Sequence, residues 1–287
     1  MRHILQFDRQ YRFYAGRPGT TGFEVGATSK TQPTALHISF TVEKADVENP
    51  NTTTIKLWNL NPAQIATLEE KDCVVSLKAG YGNHMALVFT GVVSFVATEQ
   101  DGADRMTEVE AIDGRVELRD TYISVSYVGI INNKKIIEDI AVEMGMTITF
   151  SYNAQFTDLP NGFSFVGQAK NALGKACSAS GLTWSIQNGV LHVKSAKDTM
   201  SKEVYLLSPD TGLIGVPKKV TLAAEDKSAK NQTGWNVEYL MNAAINIDDY
   251  IRLESKVVTG YFRVYSINIS GDNIEGDWTC ETRLLEV

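Results

Sequence analysis

Cysteine is scarce in this chain. Cys73, Cys177 and Cys280 are the three in 287 residues, too far apart and odd in number for a disulfide framework, so reduced buried thiols in a cytosolically made protein are expected. No apolar run approaches the roughly 18 to 20 residues that cross a bilayer, and membrane insertion is not expected. Met1-Arg2-His3-Ile4-Leu5-Gln6-Phe7 runs straight into polar Asp8-Arg9-Gln10 and lacks the apolar stretch and cleavage site of a signal peptide. Basic charge is also short: 27 Lys and Arg face 34 Asp and Glu, for a net charge of -7. Tight nucleic-acid binding, which runs on clustered Lys and Arg, is not expected. Of the basic clusters late in the chain, Lys218-Lys219 and Lys227/Lys230, acidic Glu225 and Asp226 interrupt the series.

Catalytic motifs are missing too. His3, His37, His84 and His192 are scattered, and neither Cys-x-x-Cys nor His-Glu-x-x-His occurs, so no metal site is assigned. His37 and His192 fall within strand patterns and are expected at ordinary surface or sheet positions. No Gly-x-Ser-x-Gly elbow is present. Gly174-Lys175 fails as a phosphate loop, because Ala176 stands where Ser or Thr is required and no glycine lies five residues before Gly174. Glu69-Glu70 and Asp248-Asp249 are adjacent carboxylates, read as a solvated helix end and a loop before a strand. No catalytic residue and no cofactor are assigned, and the chain is expected not to be an enzyme.

What is present is strand pattern. Residues 34–42 put Leu36, Ile38, Phe40 and Val42 on one face and His37, Ser39 and Thr41 on the other, the period of a half-buried strand. Residues 53–60 repeat this with Ile55 and Leu57. Residues 73–79 and 87–93 are two more apolar runs, with turn chemistry in Gly80-Tyr81-Gly82-Asn83 between them. Residues 106–112 read as a strand stopped by Asp113-Gly114. One short helix interrupts the series: Asn61 is its N-cap, Pro62 its first residue, and Gln64 completes a capping box, with Ile65 and Leu68 on one face. Strands with a single helical turn among them suggest a closed or nearly closed barrel.

The middle third changes character. Asn132-Asn133 starts a helix running to Met144, with Ile137, Ile140, Ala141 and Met144 as its apolar stripe and Gly145 as its stop. A strand follows at residues 146–150. A second helix over residues 168–180, with Ala169, Ala172, Leu173, Ala176 and Cys177 on one face, stops at Gly181 and leads to a strand at residues 182–186. The repeated helix–Gly–strand plan reads as a small α/β module, with an internal duplication as one explanation. Asn188-Gly189 then makes a tight hairpin into residues 190–193. Residues 195–202 read as a linker. Strands return at residues 204–207, 218–222, 237–241, 250–253, 261–269 and 278–285, with residues 223–233 as an exposed polar loop. The fold class is mainly β with α+β content, organised as residues 1–115, 116–202 and 203–287.

Two stretches carry a resemblance. The first is Pro50-Asn51-Thr52-Thr53-Thr54-Ile55-Lys56-Leu57-Trp58-Asn59-Leu60, followed by Val75-Ser76-Leu77-Lys78-Ala79-Gly80-Tyr81-Gly82 and Leu87-Val88-Phe89-Thr90-Gly91-Val92-Val93. The second is Ser208-Pro209-Asp210-Thr211-Gly212-Leu213-Ile214-Gly215-Val216-Pro217, followed by Gly260-Tyr261-Phe262-Arg263-Val264 and Gly271-Asp272-Asn273-Ile274-Glu275-Gly276-Asp277-Trp278. In this order they resemble the central hub proteins of bacteriophage tail baseplates, with Ser270 standing where family members often carry His. The resemblance implies two tail-tube-like β-barrel domains, residues 1–115 and 203–287, with the α/β module inserted between them. It implies a homotrimer whose ring of six similar barrels joins the tail tube to the central spike and leaves a channel for DNA. The implied partners are the spike, tail tube and tape-measure proteins and other baseplate proteins, with DNA met only in transit. The implied location is the virion tail baseplate, assembled in the bacterial host cytoplasm. It marks Asn59, Leu60, Gly80, Tyr81, Gly212, Leu213, Ile214, Gly215, Gly260, Tyr261, Gly271, Asp272 and Trp278 as turn or subunit-contact positions. Gly80, Gly82, Gly212, Gly215 and Gly260 are expected in turns with positive φ. Two other readings stay open: a tail-associated cell-wall hydrolase or glycan-binding component, and the hub of a phage-derived bacteriocin or secretion particle.

Overall fold

The computed structural model describes residues 8–29, 32–114, 121–195, 198–201, 203–222 and 232–286. The expected polar loop at residues 223–233 lies outside them, except for Gln232 and Thr233, which open a strand. So do three residues of the expected linker, 196, 197 and 202.

The first region holds β1 (Arg9–Gly16), β2 (Phe23–Ser29), β3 (Gln32–Thr34), β4 (Ile38–Ala45), β5 (Thr52–Trp58), α1 (Pro62–Leu68), β6 (Val74–Tyr81), β7 (His84–Asp101) and β8 (Asp104–Ile112). The alternation in β4 buries Ile38, Phe40 and Val42 and leaves Ser39 and Thr41 outward. The capping box of α1 forms as the sequence predicts, with Gln64 N–H donating to Asn61 and the Gln64 side chain accepting from Asn61 N–H. Two differences stand out. β1 was not anticipated, although Tyr11, Phe13 and Ala15 alternate on its buried side. β7 runs 18 residues, well past the apolar segment at residues 87–93, because its far half is held by pairing with β8 rather than by burial.

The module holds β9 (Tyr122–Tyr127), β10 (Ile131–Asn132), α2 (Asn133–Glu143), β11 (Thr147–Phe150), β12 (Asp158–Leu159), β13 (Phe163–Gln168), α3 (Ala169–Ser178), β14 (Leu182–Gln187) and β15 (Val190–Ser195). Both helices bury the predicted stripes, and α2 adds Ile136. Burying each Ile or Leu of these stripes is worth about 1.5–3 kcal/mol. The two strand–helix–strand units, β9–α2–β11 and β13–α3–β14, are arranged alike. Their first strands pair with each other, and their last strands flank β15, one parallel and one antiparallel. This module has its own apolar core, built around Ile136, Ile140, Leu173, Trp184 and Val193.

The last region holds β16 (Val204–Leu207), β17 (Leu213–Leu222), β18 (Gln232–Leu240), β19 (Tyr250–Glu254), β20 (Thr259–Asp272) and β21 (Trp278–Glu286). Its four-strand path β17–β18–β21–β20 has the same order as β4–β5–β8–β7 in the first region. In each path the long strand carries a bulge, between Val93 and Phe95 in β7 and between Val264 and Ser266 in β20. The two regions join edge to edge, β20 against β4, and a single apolar core runs through both.

Candidate functional site

The seam between the two strand-rich regions is where distant segments of the chain meet. β20 divides its pairing. Residues 259–263 pair with β19, and residues 266–272 pair with β4, from Ser266 opposite Ala45 to Asp272 opposite Ser39. The bulge at Tyr265 marks the fork. There Asp46 N–H donates to the Tyr265 carbonyl at 2.9 Å and Asp248 N–H to the Val264 carbonyl at 3.0 Å.

Four charged side chains fill the fork. Lys194 Nζ donates to Asp46 Oδ2 at 2.6 Å and to Asp248 Oδ1 at 2.7 Å, and Arg263 Nη1 donates to the same two oxygens. Asp46 comes from the first region, Lys194 from the module, and Asp248 and Arg263 from the last. The Lys194 and Asp248 side chains are 1% and 0% exposed. Ions so buried persist only when paired, because each alone would lose its hydration. Burial and the Asp46 charge hold the Asp248 carboxyl above its ordinary value, against the pull of the two cations. Burial acts the same way on Asp46, but Lys194 and Arg263 outweigh it and hold that carboxyl low.

A second polar cluster fastens the module beside the first. Asn51 Nδ2 donates to the Ile186 carbonyl at 3.0 Å and to Gln187 Oε1 at 2.9 Å, while its Oδ1 accepts from Ala45 N–H. The Asp113 carboxylate takes the backbone N–H groups of Asn188 and Gly189, the tip of the β14–β15 hairpin. That tip has positive φ at both residues, as Asn-Gly turns require. Burial raises the Asp113 carboxyl, partly offset by these donors. Lys44, also buried, is pushed down to about 8 by burial, with Asp113 acting against it.

The far end of the seam is closed by a clasp. His37 Nε2 lies 3.0 Å from Asp272 Oδ2, and its ring stacks on Trp58 at 3.8 Å. Asn273 Oδ1 accepts from Ile38 N–H and Asn273 Nδ2 donates to the Leu36 carbonyl. Arg9 donates to the carbonyls of Asp272 and Gly276 and sits 5.9 Å over the Trp278 ring. Burial opposes ionisation of Asp272, but His37 and the Glu275 and Ile274 N–H groups hold its carboxyl low.

The motif positions divide accordingly. Gly271, Asp272 and Trp278 belong to this clasp, with Tyr81 beside Arg9 and Trp278. Gly271 is glycine because a Cβ there would stand 2.3 Å from the Phe40 ring. Asn59, with φ of 62°, bonds Asp104 and the Arg105 N–H at the next turn, and Leu60 is buried under it. Gly80 is a β6 strand residue rather than a turn residue, excluded from carrying a Cβ by the His84 carbonyl 2.0 Å away. Gly260 likewise lies within β20. Gly212 and Gly215 do have positive φ and bracket Leu213 and Ile214 at the start of β17, with Leu240 N–H donating to the Gly212 carbonyl. Tyr261 is 56% exposed on β20, away from the seam.

The sequence reading missed the fork. Asp248 looked like part of a loop, and Asp46, Lys194 and Arg263 are far apart in the chain. The available signal was Arg263 between Phe262 and Val264, a charge inside an apolar strand. His192, read as an ordinary sheet position, lies next to the fork in β15, where burial first and then Lys194 push it down to about 4. Cys73, Cys177 and Cys280 are buried and free. Among the described residues, no group of three or more His, Cys, Asp or Glu could hold a metal. Asp46, Lys194, Asp248 and Arg263 are paired across the seam, an arrangement that holds segments together.

No curated protein sequence matches the chain. In structure it is similar to the 43 kDa tail protein of prophage MuSo2 from Shewanella oneidensis, with TM-score 0.65, 10% identity and 96% of each chain covered. It is similar to a tail protein from Neisseria meningitidis MC58, with TM-score 0.60, 9% identity and 96% of each chain covered. A component of the type VI secretion system of E. coli, described as structurally similar to T4 bacteriophage tail proteins gp27 and gp5, has TM-score 0.59 at 8% identity, over 88% of this chain and 73% of that one. These likenesses show the fold. A sequence-family model described as baseplate hub gp41 matches residues 20–269, which covers the module and most of both strand-rich regions, β1 and β21 lying outside it. This protein belongs to the baseplate hub gp41 family.

Proposed function

We propose that three copies of this chain form the central ring of a phage tail baseplate. In this reading residues 1–115 and 203–287 act as two tube-like barrels per chain. The ring then has pseudo-six-fold symmetry, which lets a six-fold tail tube seat on one side and a three-fold spike on the other. An axial channel passes DNA, and the tape-measure protein meets the ring from the tube side. The protein acts by adhesion and symmetry matching, without turnover of a substrate.

The observation that carries this reading is the baseplate hub gp41 match over residues 20–269. The shared strand order of the two regions supports it, since one chain then supplies two similar blocks to a ring. Mass measurement by light scattering, alone and with the spike protein, is expected to give a trimer, and negative-stain images a six-lobed ring with an axial hole. A monomer under both conditions would sink the proposal. Zymography on cell walls is expected to give no clearing, and clearing would favour the hydrolase reading instead.

A further inference from the structure

The strands β17, β18, β21, β20, β4, β5, β8 and β7 follow one another in a single path, every neighbouring pair antiparallel. Both ends of this eight-strand path are open among the described residues. β17 pairs with β18 alone. β7 pairs with β6 only as far as Val92, and Val93 N–H still reaches the Cys73 carbonyl, but residues 95–101 have a strand on one side only, β8.

The path is two copies of one four-strand pattern. Its internal junction is the bulged strand β20 of one pattern against β4, the first strand of the other. The remaining bulged strand is β7, and the remaining first strand is β17. Within one chain they lie at opposite ends of the path. An even number of alternating strands makes them run in opposite senses, so β7 of one copy meets β17 of the next as a further antiparallel pair. Head-to-tail contacts of this kind close into rings, and strand addition at open edges supplies the backbone hydrogen bonds.

The registers fix which residues meet. Across the first pattern, Thr41, Thr54, Glu110 and Phe95 lie in one row. Across the second, Lys218, Asn236, Arg283 and Ser266 do. Phe95 and Ser266 each follow the bulge, so Lys218 corresponds to Thr41. At the internal junction Ser270, four residues after Ser266, stands opposite Thr41. The same geometry between copies sets Glu99, four residues after Phe95, opposite Lys218. Ala97 then faces Val220 and Thr98 faces Lys219. Glu99, Lys218 and Lys219 are all exposed in the single chain, and opposite charges directly across a strand pair stabilise it.

We infer that the far half of β7 in one copy pairs antiparallel with β17 of a second copy, with Glu99 against Lys218. This rests on the ring proposed above and names the edges that close it. The test uses the full chain. Lys218→Glu and Glu99→Lys are each expected to weaken self-association at least about tenfold by light scattering, and the double variant to restore most of it. Both side chains are exposed, so thermal melts of the monomer fraction are expected to match the wild type. Carbodiimide treatment of mixed light and nitrogen-15-labelled chains is expected to join Glu99 of one copy to Lys218 of another. A wild-type trimer whose association ignores both single substitutions, or whose cross-links omit this pair, overturns the inference and leaves the ring reading intact. A wild type that stays monomeric with its spike partner overturns both.

Discussion

Asp249 is the residue at which acidity should be most visible. Burial pushes its carboxyl up to about 6, and the nearby Asp248 and Glu203 charges add to this against the Asn246 N–H. The folded protein therefore holds this proton more tightly than the unfolded chain. Folded-state stability from this group is full below about pH 4 and is lost as pH rises to about 6. Asp249→Asn keeps an oxygen for the Asn246 N–H at 2.8 Å. It is expected to change little near pH 4 and to raise stability by about 1 to 2 kcal/mol at pH 7, read from urea unfolding at both pH values. Equal effects at both would count against the assignment. His192 works in the opposite sense. Its folded value of about 4 lies below the unfolded one, so its contribution is present above about pH 6.5 and fades as pH falls toward 4, which is why the substitution must be read as a difference from wild type. None of this was visible in the chain order, since Asp249 read as part of a loop before a strand. Burial is a property of what packs over a residue, and here that cover comes from β20, as the Val264 N–H donated to the Asp249 carbonyl shows.

At the scale of elements, the β14–β15 hairpin owes its place to Asp113. Two backbone N–H groups at its tip end on that one carboxylate, and a hydrogen bond to a charged group contributes about 1.5–3 kcal/mol. Asp113→Ala is expected to speed hydrogen exchange at Asn188 and Gly189 by tenfold or more while α2 and α3 stay protected. Uniform loss of protection across the module would show that the carboxylate supports its whole core instead. The elements themselves were largely legible. α1 and α2 were placed from their Asn caps, α2 and α3 from their apolar spacing, and the hairpin from Asn188-Gly189, because those signals are local. β9 and β13 were not seen. Each is a six-residue strand that exists by pairing with the other, and partnership across about forty residues leaves no mark on either one. Of the motif positions, Gly271, Asp272 and Trp278 proved to sit together at the clasp, whereas Asn59 and Gly212 serve separate turns.

At the scale of the molecule, two apolar cores are tied by polar groups. Lys194 is the module's charged contribution to that tie. Lys194→Ala leaves Asp46 and Asp248 sharing Arg263 alone, and breaking a buried ion pair this way costs about 3–5 kcal/mol. Calorimetry of the variant is expected to show the module melting in a separate, earlier transition. A single transition at the wild-type temperature would show that Asn51 and Asp113 suffice. Strands toward both ends and two helices in the middle could be read from periodicity along the chain, but the union of the ends could not. β4 and β20 are separated by most of the sequence, and only the folded register brings Thr41 beside Ser270.

That shared strand also decides how the molecule bears force. β20 continues without a break from the ladder with β19 into the ladder with β4, so a pull along its axis is carried by covalent bonds. Sliding β4 past it must break the rungs between Ser266 and Asp272 together, in shear, instead of peeling them one at a time. This joint is therefore stiffest along the line of the strand.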